Sequence, residues 1–327
     1  MFRPKRIIVL LLISFLLAGT FVMAGCSSEA DTLDTINASY VTRPINIPTI
    51  AARDLGMFEN EFAGDGITFI WHDIPVPSNQ LEALASKSLD FANSLNYVSV
   101  LLSKAAGNDI IVISSYSRFP QGIALVVSSD SQIDTVADLR GKKIALQIGT
   151  MLHEMLIHAL AGEGMTVADL ELINMDSADS FAALSAGQVD AAILPEPLLS
   201  RAMASGTMKE LFTAEGLIPG LAMIVVRGEF ARNNPDAVKR YLQVHAASLD
   251  WIQENQEAAF EMAARETQME PRAVEALYTK FDFGMSLEHV KEELLIAADF
   301  LQQEGMIRAD VDLDKLVDDL VDPSFLP

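Results

Sequence analysis

The sequence predicts an α/β protein of two lobes, each a mostly parallel sheet flanked by helices, with a hinge of two crossing segments. Three observations carry this reading: short apolar runs alternate with helical periods, two stretches recur about one hundred residues apart, and 327 residues exceed one core. Alternating strands and helices cover both faces of a parallel sheet. Single hydrophobic cores stop growing near about 250–300 residues, and domains of roughly 100–150 are commonest.

The alternation is read from the residues in order. Ile67 to Trp71, Ile110 to Ser114, Ile123 to Val127, Lys143 to Ile148, Leu170 to Asn174 and Ala191 to Leu194 read as strands. Between them, "SNQLEALASK", "NYVSVLLSKAAG", "TMLHEMLIHALAGEG" and "SADSFAALSAG" carry helical spacing and mostly close on glycine. From Asn234 onward the pattern is nearly continuous helix, taken to pack on the first lobe. The chain is expected to cross between lobes near Ser114 to Gly122 and to return near Gly216 to Ile224. Lobe 1 is thus assigned residues 40–118 and 222–327, and lobe 2 residues 119–221.

The recurrence is specific. "AGDGIT" at Ala63 reads against "AGEGMT" at Ala161, and "LASKSLDFAN" from Leu84 against "LSAGQVDAAI" from Leu184. Two matches with nearly the same offset predict two units of one topology. Ligands in such sheets bind at loops leaving the carboxyl ends of strands. The offset pairs Asn93 to Asn96 with Ile193 to Glu196, and Ser78-Asn79 with Ala178-Asp179, as loops facing one another across a cleft.

The first residues read as an export signal. Arg3, Lys5 and Arg6 precede the apolar run Ile7 to Ala18, which is shorter than the roughly 20 residues a spanning helix needs. "AGC" at Ala24 to Cys26 resembles the lipobox of bacterial lipoproteins, with Met23 where leucine is usual. Residues 1–25 are therefore expected as signal peptide, Cys26 as the acylated residue, and residues 26–39 as a small, polar tether. Cys26 is the only cysteine, so no intramolecular disulfide forms. Losing three basic and no acidic groups takes the net charge from -22 to -25, which argues against nucleic acid as partner.

Motif tests exclude several chemistries. "HEMLIH" places His153 and His158 five apart, about 140° around a helix, so they share no metal there. "QIGT" lacks the second glycine and the lysine of a phosphate loop. Asp310, Asp312 and Asp314 open like a calcium loop, but Lys315 replaces the turn glycine and Val321 the bidentate glutamate. That segment reads instead as an amphipathic helix with Leu313, Leu316, Val317 and Leu320 inward. No catalytic triad or paired carboxylates stand out. Catalytic residues, cofactor and metal are all expected to be absent.

Binding candidates remain. Gly149-Thr150 ends a strand and opens a helix, whose free N–H groups suit an anionic or polar group, although Thr150 also serves as a plain N-cap. Glu196, between Pro195 and Pro197 at a strand end, would accept from an amine or amide, or simply favour a helix start. Thr49, Asn93, Ser94 and Asn96 are small polar groups in strand-end loops. Arg43, Arg118, His72 and His153 are candidates to counter an anion.

In order, "AARDLGMFENEF", "QLEALASKSLDFANS", "SQIDTVADLRGKKIALQIGT" and "AALSAGQVDAAILPEP" resemble the substrate-binding lipoproteins of ABC importers for nitrate, sulfonate and taurine, whose relatives bind pyrimidine precursors of thiamine. The likeness covers Ile45 to Met208 and, through "DPSFL", loosely the helical remainder. It implies a type II periplasmic-binding fold closing on a small molecule. It also implies ligand groups at Thr49, Ser78, Asn79, Ser94, Asn96, Gly149, Thr150 and Glu196. Many members carry an aromatic where this chain has Pro195. The expected function is capture of a small organic anion, sulfonate-, taurine- or nitrate-like, outside the cytoplasmic membrane. The expected partners are the solute, an ABC permease with its ATPase subunits, and the membrane through the lipid; the protein itself is expected as a monomer. Alternatives are a pyrimidine or amine-bearing solute held by Glu196, a pyridoxal-phosphate enzyme making the thiamine pyrimidine, and a sensory receptor subunit. Export and the lack of a cofactor-lysine motif weigh against the enzyme.

Overall fold

The computed structural model describes residues 33–41 and 46–327. The export signal, Cys26 and Arg43 lie outside the described residues. The first run of elements is β1 (Thr35–Tyr40), α1 (Ile47–Asp54), α2 (Met57–Ala63), β2 (Thr68–Asp73), α3 (Pro77–Ala85), β3 (Phe91–Asn96), α4 (Tyr97–Ala105) and β4 (Ile110–Arg118). The second is β5 (Ile123–Ser128), β6 (Lys143–Leu146), α5 (Met151–Gly162), β7 (Glu171–Asn174), α6 (Ser177–Ser185), β8 (Ala191–Pro195), α7 (Leu198–Ala204) and β9 (Met208–Thr213). Then come β10 (Leu221–Arg227), α8 (Gly228–Asn233), α9 (Pro235–Glu254), α10 (Gln256–Thr267), α11 (Pro271–Tyr278), β11 (Asp282–Phe283), α12 (Val290–Gln303) and α13 (Leu313–Asp318).

These strands make two sheets, ordered β11-β4-β10-β3-β1-β2 and β7-β6-β8-β5-β9. Read from β2 and from β7, the orders correspond strand for strand, with β11 as the single addition. The parallel core is β2-β1-β3 in one and β7-β6-β8 in the other. The remaining pairings are antiparallel, so the sheets are mixed rather than mostly parallel. The reason lies in the crossings: β5 follows β4 into the second sheet, β10 follows β9 back into the first, and each enters against the parallel strands.

The recurrence has a physical basis on both sides of the molecule. Asp90 accepts the backbone N–H of Asn37 at 2.9 Å, and Asp190 accepts that of Lys143 at 2.8 Å. Each aspartate thus ties the strand it precedes to the middle strand of the parallel core in its sheet. Gly66 and Gly164, at φ +76° and +65°, end their helices in the left-handed conformation that spares only glycine a penalty.

Five strands, β1, β3, β9, β10 and β11, escaped the periodic reading, and two of them lie in the parallel core. The tether expected through Ser39 stops earlier, because Thr35–Tyr40 form β1, between β2 and β3. Asn93 to Asn96, read as a loop, belong to β3. Its buried Asn93 donates to Ser39 O at 3.0 Å and accepts from Tyr241 Oη at 2.9 Å, so a polar residue sits in a core strand without cost. Phe91 stacks on Tyr241 at 3.9 Å with rings 4° from parallel, fastening α9 to the sheet. Stacked pairs contribute about 0.5–1.5 kcal/mol beyond their burial. The carboxyl-terminal helices are as the spacing predicts, with Leu316, Val317 and Leu320 buried and Leu313 packed beside them.

Tyr116, buried in β4, shares a hydrogen bond with Thr49 Oγ1 at 2.9 Å and stacks on His245 at 5.4 Å. Burial lowers the His245 pKa to about 4, and its Nε2 has no partner. The folded state therefore keeps this imidazole neutral while the unfolded chain protonates it below about pH 6.5. Stability should fall as pH drops from about 6.5 to 4, by about 3 kcal/mol from this group alone. Urea unfolding across that range checks it, and His245→Phe should flatten the slope.

The two crossing segments touch backbone to backbone. Phe119 N–H donates to Gly220 O at 3.1 Å, and a Cβ on Gly220 would lie 2.9 Å from Pro120 N, at a φ of +55°. Gly220→Ala should lower the urea-unfolding free energy by about 1–3 kcal/mol, since neither backbone can give way.

Candidate functional site

A cavity of about 290 Å³ lies between the two sheets, lined from both. Its walls come from the carboxyl ends of parallel strands and the helix starts that follow them. Pro77 opens α3, Asn96 caps α4, Thr150, Met151 and Leu152 open α5, and Ser177 opens α6. Four helices of 9, 9, 12 and 9 residues thus begin at one space. Each start leaves backbone N–H groups without intrahelical acceptors and carries roughly half a positive charge. Caps take some of these donors: Asn96 Oδ1 accepts from Ser99 N at 2.9 Å and Thr150 Oγ1 from Leu152 N at 3.2 Å. Ser94 lines the cavity in a left-handed conformation, φ 59°, which is uncommon for a residue with a Cβ.

The expected residues divide by position. Ser94, Asn96, Thr150 and Glu196 meet at the cavity. Thr49 does not: it is buried in α1 and its hydroxyl is engaged with Tyr116. Ser78 and Asn79 are exposed in the first turn of α3, and their neighbour Pro77 is the lining residue. Gly149 stands beside the cavity wall, where a Cβ would lie 3.4 Å from Met306 Sδ. Asn93 is spent on Ser39 and Tyr241.

Of the expected counter-charges, Arg118 and His72 are engaged elsewhere. Arg118 grips Glu293 with two bonds of 2.6 and 2.8 Å. His72 Nε2 pairs with Asn37 Oδ1 at 2.9 Å. His153 is buried near Phe300, and burial lowers its pKa, which favours the neutral ring.

Lys280 is the charged group that the sequence reading missed. Its ammonium pairs with the Glu196 carboxylate, whose side chain is 1% exposed. Glu196 also accepts from Ser200 N at 3.1 Å and Ser200 Oγ at 2.9 Å. A buried carboxylate left alone is strongly disfavoured, whereas one paired and hydrogen-bonded is tolerated. Among the described residues, the pair cancels the one formal charge on the cavity wall, and it joins one segment from each side of the hinge. No sequence signal marks Lys280, because 84 residues separate it from Glu196.

Beside the cavity the two halves touch again. Tyr97 Oη donates to Glu154 Oε2 at 2.5 Å, and the Phe300 ring lies 6.1 and 6.2 Å from those of His153 and His158. Burial and the Glu154 charge push the Tyr97 pKa well up, so this donor stays protonated. Among the described residues, no group of three or more His, Cys, Asp or Glu could hold a metal ion.

A cleft with uncharged donors, an internally neutralised carboxylate and no array of nucleophile and base among its described lining residues can hold a small anion by hydrogen bonding. Comparison with known proteins agrees with this fold. A Bacillus subtilis (strain 168) protein named as an aliphatic sulfonates-binding protein is 28% identical over 327 residues, covering 98% of this chain and 96% of the relative. The structure of the periplasmic aliphatic sulphonate binding protein SsuA from Escherichia coli matches with a TM-score of 0.78 at 21% identity, covering 87% of this chain and 97% of that one. The alkanesulfonate-binding protein SsuA from Xanthomonas axonopodis pv. citri, bound to MOPS, matches at 0.74 and 22% identity, covering 86% and 97%. Residues 46–259 match the family model described as NMT1/THI5 like, and with more than half of its length inside that match the chain belongs to the NMT1/THI5-like family.

Proposed function

We propose that the protein is the extracytoplasmic solute-binding subunit of an ABC importer for organic sulfonates, holding its solute in the inter-sheet cavity and handing it to a membrane permease. One observation carries the reading: four helix starts converge on a cavity where the one carboxylate among the described lining residues is already neutralised. A sulfonate is a monoanion with three acceptor oxygens and no proton to donate, so it suits a ring of N–H and hydroxyl donors. The names of the relatives point the same way. Binding and release suffice, and no bond need be made or broken.

Closure of the halves on the solute would present a joint surface to the permease and its ATPase subunits. The chain would act as a monomer, held at the membrane by a lipid on Cys26 after loss of residues 1–25. An amine held by Glu196 is less well supported, because Lys280 and Ser200 already occupy that carboxylate.

The test is a thermal-unfolding panel of ethanesulfonate, taurine, nitrate, pyrimidines and polyamines. A solute bound only by the folded state at one hundred times its Kd adds about 2.7 kcal/mol, a readily measured rise in Tm. Sulfonates should raise Tm while polyamines and pyrimidines should not; a response confined to the latter would overturn the reading. Ser177→Asp places a carboxylate at the α6 start, which favours the helix but repels an anion. That variant should keep its Tm without solute and lose at least about tenfold in sulfonate affinity, by calorimetric titration.

A further inference from the structure

The helix starts occupy only part of the cavity wall. Beside Ser94, Gln147 and Glu196, an apolar stretch of wall is formed by Phe119, Phe281 and Ala222 together with the Met151 and Leu152 side chains. Phe119 and Phe281 stack on each other at 5.0 Å with planes 28° apart. Phe281 stacks in turn on Phe283 at 5.7 Å, and Phe283 on Tyr278 at 5.3 Å. Phe119 ends this row, with one ring neighbour.

The row is held rigid. Phe119 N–H is bonded to Gly220 O in the crossing, and Phe283 pairs with Ser117 at the sheet edge. Both cavity-lining rings are more than nine-tenths buried, so what they still present faces the cavity.

A taurine-sized solute would satisfy the donors and leave this wall against water. Aromatic rings prefer offset-stacked or edge-to-face partners with centroids about 4.5–7 Å apart, and a preset row offers that geometry with no side chain left to order. A cavity of about 150 Å³ takes benzene. The 290 Å³ here accommodates a ring and a sulfonate together.

Resting on the sulfonate reading above, we infer that the preferred solute carries an aromatic ring: an arylsulfonate, its oxygens at the helix starts and its ring against Phe119 and Phe281. This departs from the aliphatic solutes in the names of the relatives. The aromatic wall then decides which sulfonate is taken, and the helix starts decide that it is an anion.

The experiment is isothermal titration of the purified full chain in detergent with benzenesulfonate and ethanesulfonate, whose anionic groups are the same. Benzenesulfonate should bind at least about tenfold more tightly, which is about 1.4 kcal/mol. In Phe119→Leu, which keeps an apolar side chain and removes the ring, the ratio of the two Kd values should fall to about threefold or less. Ethanesulfonate binding as tightly as benzenesulfonate in the unchanged protein overturns this inference while leaving the sulfonate reading intact. Binding of neither overturns both. Should the variant not fold, the ratio in the unchanged protein still decides.

Discussion

Each sheet takes one interior strand from the other side of the hinge, and both exchanges pass through a neck where Gly220 lies against the Pro120 backbone. Everything at the cavity depends on that constraint. With β5 and β10 antiparallel to their neighbours, the carboxyl ends of β2 and β3 in one sheet and of β6, β7 and β8 in the other open onto the same space. A helix follows each of these strands and so starts at that end. Convergence of helix starts is a consequence of the topology, with no need for a designed anion motif.

Charge is handled by subtraction. The chain is strongly acidic, yet among the described residues the wall of the cavity carries a single carboxylate, and that one is matched by Lys280. Arg118, by comparison, is held by Glu293. Affinity for an anion in such a place rests on fixed dipoles and hydrogen-bond donors, which cost nothing to reorganise when the ligand arrives. The surface charge speaks to solubility and to excluded partners, not to the cavity.

The same segments that cross the hinge also shape selectivity. Phe119 lies in the outward crossing, and Ala222 is the second residue of β10, the strand that follows the return. Hinge and binding wall are therefore one piece of structure, so contacts with a solute act directly on the elements that any opening of the cleft must bend. Tyr97 with Glu154 and Lys280 with Glu196 fasten the halves at two other points. All of these groups are buried or half-buried, where pairing matters most.

Local physics made much of this legible in the residues. Apolar period separated strands from helices, glycine marked the helix ends at Gly66 and Gly164, and the aspartates of "SLD" and "QVD" recur because each ties two strands together. Thr150 and Glu196 stood out at strand ends because a polar residue between an apolar run and a helical period has few other uses. What the sequence could not decide was how distant segments meet. Thr49 was withdrawn into the core by Tyr116, β1 and β3 were disguised by polar residues whose partners lie far along the chain, and Lys280, Phe119 and Phe281 carry no local signal at all. Strand period, helix caps and turn glycines are set by neighbours within a few residues, whereas the lining of a cavity between two sheets is set by which segments the crossings bring face to face. Only the tertiary structure contains that information.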